Sequence, residues 1–435
     1  MEETGWKDKS LNLKPSALSF PFAIAVILAA TLVGGCASSN HSANLIFEHQ
    51  PRPVMESIGL SSTWDPRLGV DTAGGLHLFA VYDQGSKSRL GLAMSENGGD
   101  TLSSPIIPIS EAGVSIGSHG EQSPSVAMTR SGIYALWQEQ GADGSLKIMS
   151  ARSLTWGESF EKPVQVSDTG ARAYRGFPSV GVAPNGDIYA VWLDERDITD
   201  PNQDTSAVYL AKSTDQGAVF APNVRVGDQT CPCCRPSLAF GANGDVFVAW
   251  RRVFPGEIRN IVVSTSQDGG RTFGEPVKVH EDGWEIKGCP DSGPSLVESN
   301  GRLWIAWMTA GKDNRARILV SRSDEAARSF EKPIMVSGDV LDPNHPSMKA
   351  GNDGTLWLVF QGRAPNTNGN WNKTQVYIVH IKENENFSNP TSIPGSNNSI
   401  SYPHIALGNG GQIFVAWTQP KGDHFAVMLS RGREK

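Results

Sequence analysis

Hydrophobic positions in this chain come in short bursts rather than in helical stripes. From Thr63 onward, apolar residues alternate with polar ones or run for several positions between glycine, proline, asparagine and aspartate, the pattern of β-strands joined by tight turns. The bursts recur as one motif. "PSVAMTRSGIYALW" from Pro124, "PSVGVAPNGDIYAVW" from Pro178, "PSLAFGANGDVFVAW" from Pro236, "PSLVESNGRLWIAW" from Pro294 and "PSMKAGNDGTLWLVF" from Pro346 each read as a strand, a turn and a second strand closing on an aromatic. "DPRLGVDTAGGLHLFAVY", with Pro66, and "PHIALGNGGQIFVAW", with Pro403, are looser copies. Successive prolines are 58, 54, 58, 58, 52 and 57 residues apart. That leaves room for two more strands per unit, and four-stranded units of this length in series predict a β-propeller. The closing aromatics Tyr82, Trp137, Trp192, Trp250, Trp307, Phe360 and Trp417 are expected to pack between neighbouring sheets.

The fourth strand of the inner units follows an aromatic and a proline, as in "SFEKPVQVS" and "TFGEPVKVH". The seventh unit stops at "FAVMLSRGREK" and lacks this strand, whereas "IFEHQPRPVMES", Ile46 to Ser57, has its form ahead of the first unit. The N-terminal strand is therefore expected to complete the last blade and remove exposed sheet edges. The fold this predicts is all-β, one seven-bladed β-propeller over residues 46–435, with six blades as the alternative.

Composition adds a compartment and excludes one class of partner. With 46 glycines, 27 prolines and a net charge of -7, the chain suits turn-rich β-structure and lacks the basic surface that nucleic acid requires. Lys7, Lys9 and Lys14 precede an apolar run from Ala17 to Val33, shorter than a membrane span of about 20 residues and matching the core of a secretory signal. The run ends in "LVGGCAS", which resembles a bacterial lipobox, with Cys36 the residue to be lipidated; an uncleaved N-terminal anchor is the alternative. Residues 1–36 are expected to be a lipoprotein signal peptide and 37–45 a tether. The mature protein would then sit at a membrane, exported to periplasm or cell surface.

Between the third and fourth strands lie "STDQGAVF", from Ser213, and "SQDGGRTF", from Ser266. These match S-x-D-x-G-x-T-F, the Asp-box or BNR repeat, and in this the chain resembles the sialidase (neuraminidase) superfamily. The box is a turn-forming device: aspartate caps backbone N–H groups and glycine takes positive φ. The resemblance implies an exo-glycosidase that releases a carboxylated, sialic-acid-like sugar and needs no cofactor. In that family three arginines clamp the substrate carboxylate, a tyrosine assisted by a glutamate is the nucleophile and an aspartate is the acid/base. "YRGFPS" resembles the family's arginine motif with one extra residue before the proline. On that basis Arg175, Arg235 and Arg251 are candidate clamps, Tyr402 the candidate nucleophile and Asp194 or Glu195 the acid/base.

Strand direction places the residues before each "P-S", and those after each closing aromatic, on one rim. That rim holds Asp65, His119, Glu121, Asp291, His345 and the cysteines, together with the candidates just named. Cys231 and Cys289 each lie five residues before a repeat proline, in adjacent units, and His119 has the same offset two units earlier. In an oxidising compartment the four cysteines Cys231, Cys233, Cys234 and Cys289 favour disulfides, with Cys231–Cys289 the easiest to picture. Four thiolates with His119 would alternatively suit copper(I) or zinc, and free thiols are a third option. A non-catalytic binding or assembly propeller carrying such a metal or redox site at its channel mouth is the alternative to the glycosidase. The expected partner is a glycan or small acidic ligand.

Overall fold

The alternation in the sequence is realised as strands throughout. A computed structural model describes residues 45–434 apart from 48–49, 142, 169–172, 200–204, 366–373, 383–385 and 397–398, so Cys36 and the signal segment lie outside the described residues. Helix among the described residues is confined to two short 3-10 turns, Met55–Ile58 and Asn409–Gly411, and none is long and apolar enough to cross a membrane. The protein is an all-β propeller.

The fifth repeat shows the unit: Ser295–Ser299, Arg302–Thr309, Arg317–Ser323 and Ile334–Met335 lie side by side, antiparallel, in chain order. The second strand is buried along nearly its whole length, because a sheet in this stack has neighbours on both faces, which is why such strands read as continuous apolar runs. The expectation of seven separate blades, or of six, needs correction at the level of the sheets. Hydrogen bonding groups the strands into five sheets of four or five strands, one repeat each, and one sheet of nine. The third and fourth repeats share the nine-stranded sheet, joined where Thr230 pairs with Arg252.

Between consecutive repeats lie apolar clusters. Phe247, Ala249 and Val263 of the fourth meet Ile305 and Trp307 of the fifth, and Leu76 and Leu78 of the first meet Phe414 and Val427 of the seventh. Every closing aromatic from Tyr82 to Trp417 is buried. The ring is also closed by strand pairing: Arg52 and Pro53 pair with Leu429 and Met428, and Leu45–Phe47 runs along the end of the final strand. A strand from the N-terminus thus finishes the C-terminal sheet and covers its edge.

The recurring "P-S" serines have a structural reason. Ser125, Ser237 and Ser295 accept hydrogen bonds from the backbone N–H groups of Val180, Leu296 and Met348 in the next repeat, at 3.1, 3.1 and 3.0 Å, and Ser179 donates to the Pro236 carbonyl at 2.7 Å. In the seventh repeat His404 occupies this position, and its Nδ1 accepts from Leu68 N of the first at 3.2 Å. Far from this end, Asp268 accepts from Arg271 N and Thr272 N at 2.9 and 3.0 Å while Ser266 Oγ accepts from Gly270 N at 2.8 Å. The turn "SQDGGRTF" is closed by its own side chains.

Candidate active site

The innermost strands begin with a device that turns side chains toward the axis. Asp65, Phe177, His345 and Tyr402 each precede a repeat proline and take φ between 51 and 56°, in the left-handed region. The strand register slips at each, from Trp64 to Arg67, Gly176 to Ser179, Asn344 to Ser347 and Ser401 to His404. Such bulges re-aim a side chain, and non-glycine residues there cost about 1–3 kcal/mol apiece. Three of the four, Asp65, His345 and Tyr402, meet at one end of the channel.

There a cavity of about 230 Å³ is lined by Arg67, Glu121, Arg235, His345, Lys349, Tyr402 and His404, with the repeat serines. A second cavity, of about 470 Å³, shares Tyr402 with it and adds Trp64, Asp65, His119 and Phe425. Glu121 is the hub. Its Oε2 accepts from Gly293 N at 2.7 Å and from Arg235 N at 2.9 Å, and its Oε1 faces His345 Nδ1 at 3.3 Å. Arg235 in turn donates through Nε and Nη2 to the Glu121 carbonyl and through Nη2 to Ser123. Tyr402 donates its hydroxyl to Asp291 Oδ2 at 3.0 Å, and Asp291 Oδ1 accepts from Glu121 N at 3.2 Å. The His345 and Tyr402 rings sit 4.5 Å apart. Asp65 Oδ2 accepts from Ser118 Oγ, and its backbone N–H donates to Thr418 Oγ1 at 2.9 Å.

These carboxyls are pushed apart in acidity. Burial acts against ionised Glu121, but the His345 imidazole and the Arg235 contacts outweigh it and hold the carboxyl below its ordinary value. Burial raises Asp291, helped by the neighbouring Glu121 charge. Burial also raises Asp65 despite Ser118 and Arg67. Tyr402 is driven upward by burial and by Asp291, so its phenol stays protonated at rest. Arg235 falls to about 9, through enclosure first and the Arg67 charge second.

The residues expected from sequence divide sharply. Tyr402 and Arg235 line the cavity. Arg175 and Asp194 do not: their ion pair, at 3.2 Å, is a buried brace in which Asp194 also accepts from Trp192 Nε1 at 2.9 Å and Arg196 Nη2 at 2.6 Å. Arg251 is buried elsewhere, donating to the carbonyls of Ser292 and Met308 at 2.8 and 2.7 Å. Glu195 faces Ser206 Oγ at 3.3 Å. The three clamp candidates therefore have three different sets of partners, and the arginine that joins Arg235 at the cavity is Arg67. Its signal was present in the repeat: Arg67 and His404 stand where the other five units have serine after proline.

The cysteines converge, with a pairing other than the one expected. Cys233 and Cys289 form the disulfide, Cα–Cα 6.1 Å, while Cys231 and Cys234 are buried thiols. Cys231, Cys233 and Cys289 form the one metal-capable grouping among the described residues, but two of its sulfurs are bonded to each other. His119 is not in that grouping; it lines the larger cavity beside Asp65.

The family comparison gives this channel mouth a class of chemistry. The chain belongs to the glycosyl hydrolases family 43, whose model matches residues 116–387. No curated protein matches it in sequence. Among solved structures it is similar to an ulvan lyase of a new polysaccharide lyase family, at 11% identity and TM-score 0.54 over 86% of this chain and 94% of that one. It is similar to a Dyadobacter fermentans protein of unknown function at 13% identity and TM-score 0.52, covering 75% and 99% of the two chains. It also resembles a Hadza microbial sialidase at 13% identity and TM-score 0.50, covering 86% of this chain and 66% of that one. At such identities these likenesses define the fold.

Proposed function

We propose that the protein is an exported exo-glycosidase that cleaves a terminal carboxylated sugar at the channel mouth, with Tyr402 as nucleophile. The observation that carries this reading is the Tyr402–Asp291 hydrogen bond at the edge of a cavity lined by Arg67, Arg235 and Lys349. A carboxylate-bearing sugar suits those cations, since guanidinium forks bind carboxylates through charge-assisted hydrogen bonds. In the first step the Tyr402 oxygen attacks the anomeric carbon and its proton passes along the existing hydrogen bond to the Asp291 carboxylate, which burial makes more basic. The glycosidic bond breaks, and the departing oxygen takes a proton from the Asp65 carboxyl, whose hold on that proton burial strengthens. Water then displaces Tyr402 from the sugar, giving one proton to Asp65 and keeping the other in the new anomeric hydroxyl, while Asp291 returns to the departing phenoxide the proton it took in the first step. The wall of Trp64 and Phe425 in the adjoining cavity supports this reading, as apolar rings suit the faces of the leaving sugar. Lipidation at Cys36 would hold the enzyme at a membrane.

The test is a panel of chromogenic glycosides, sialosides and uronides against neutral sugars, with the soluble domain. Activity confined to acidic sugars and lost in Arg67→Ala supports the proposal. Hydrolysis of neutral arabinosides alone removes the carboxylate part of it, and an inert panel removes it altogether.

A further inference from the structure

The four clustered cysteines take no part in the chemistry above. Cys231 Sγ lies 3.9 Å from Cys233 Sγ, and Cys234 Sγ lies 4.0 Å from the same atom. Exposure is graded across the set: Cys231 and Cys234 are buried, Cys233 is half-buried and Cys289 is exposed. The run Cys231-Pro232-Cys233-Cys234 also puts the two thiols at C-x-x-C spacing, in a turn closed by Cys234 N donating to the Cys231 carbonyl at 3.3 Å. A C-x-x-C pair beside a disulfide is a common form of redox-active centre. Here both thiols stand within 3.9 and 4.0 Å of the same bridged sulfur, Cys233 Sγ.

An independent observation points the same way. Arg251 Nη1 and Arg259 Nε and Nη1 are buried donors with no hydrogen-bond partner among the described residues. Arg251 otherwise donates only to carbonyl oxygens, and Arg259 holds the half-exposed Glu257 through Nη2 at 2.9 Å. Unsatisfied buried guanidinium groups are costly. Both guanidinium charges act on the Cys231 sulfur.

We propose that the four cysteines form a thiol–disulfide exchange centre, which passes one disulfide between the surface pair Cys233–Cys289 and the buried pair Cys231–Cys234. The Cys231 thiolate attacks Cys233 Sγ; the new S–S bond forms as the bond to Cys289 breaks, and Cys289 leaves as a thiolate that takes a proton from water. Cys234, giving its proton to solvent, then attacks Cys231 Sγ and releases Cys233 as a thiolate, which is protonated. Two thiols become a disulfide as one disulfide becomes two thiols, so no outside oxidant is consumed. The exposed Cys289 is the point at which an external thiol would exchange with the centre. Exchange has a consequence for the site, because the loop freed at Cys289 carries Asp291 and Gly293, the partners of Tyr402 and Glu121.

Disulfide mapping tests this on the wild-type domain. The protein is incubated with catalytic dithiothreitol at graded redox poise, quenched in acid, alkylated in denaturant and digested for mass spectrometry. The expected result is a species in which labelling is lost at Cys231 and Cys234 and gained together at Cys233 and Cys289. Cys234→Ser should stop at a Cys231–Cys233 bond with Cys289 labelled. The proposal is overturned if Cys233–Cys289 is the sole disulfide at every poise until all four thiols appear, or if elemental analysis finds stoichiometric zinc or copper on the sulfurs in place of any disulfide. Glycosidase activity is not needed for either result, so the two proposals fail separately.

Discussion

At the scale of single residues, the site is built from groups whose environments disagree. Glu121 is ionised and saturated with donors, whereas Asp291 and Asp65 are pressed toward their protonated forms. Tyr402→Phe removes the attacking oxygen and should lower kcat by more than about 10⁴-fold while costing only about 1 kcal/mol of stability for the lost hydrogen bond to Asp291; steady-state kinetics and thermal melts check this together. Glu121 also makes a signed pH prediction. Because its folded value lies below the unfolded one, its contribution to stability is fully present above the unfolded carboxylate value near 4.3 and is lost as pH falls through the folded value. Wild type should therefore lose stability relative to Glu121→Gln as pH is lowered through that window, while Asp291 and Asp65 act with the opposite sign in both proteins. Melting temperatures of the two proteins against pH would show the gap closing; a constant gap would mean that Glu121 is not held ionised.

At the scale of elements, the repeat explains both what was legible in sequence and what was not. Strand period, the proline spacing and the closing aromatics are one-dimensional signals, and they locate the sheets and their packing. The rim too was legible, since position within the repeat decides which end of a strand a residue occupies. Partner choice was not. Arg175, Arg235 and Arg251 look alike in sequence, but Asp194, Glu121 and the Ser292 carbonyl claim them separately. The disulfide was misjudged for the same reason: equal offsets favour Cys231–Cys289, and the turn at Cys231–Cys234 rotates Cys233 toward the neighbouring loop instead. Trp307→Ala should cost about 3–5 kcal/mol in chemical denaturation, as for other fully buried tryptophans. The N-terminal strand offers a second test. Removing residues 45–53 exposes the edge of His424–Glu434, and should lower the melting midpoint and promote aggregation measurable by light scattering.

At the scale of the whole molecule, the ring brings together residues that are far apart in the chain. Asp65, Glu121, Arg235, Asp291, His345 and Tyr402 come from six repeats, and their hydrogen bonds span up to 224 positions. The fold is thus the reason that a phenol and a carboxylate separated by 111 residues share a proton-bearing hydrogen bond. The central claim is that this phenol attacks the sugar, and a mechanism-based fluorinated glycoside of an acidic sugar tests it most directly. Peptide mass spectrometry after its incubation with the soluble domain should find the glycosyl group on Tyr402 and none on Tyr402→Phe. A label on any other residue, or hydrolysis that persists undiminished in Tyr402→Phe, would contradict the account.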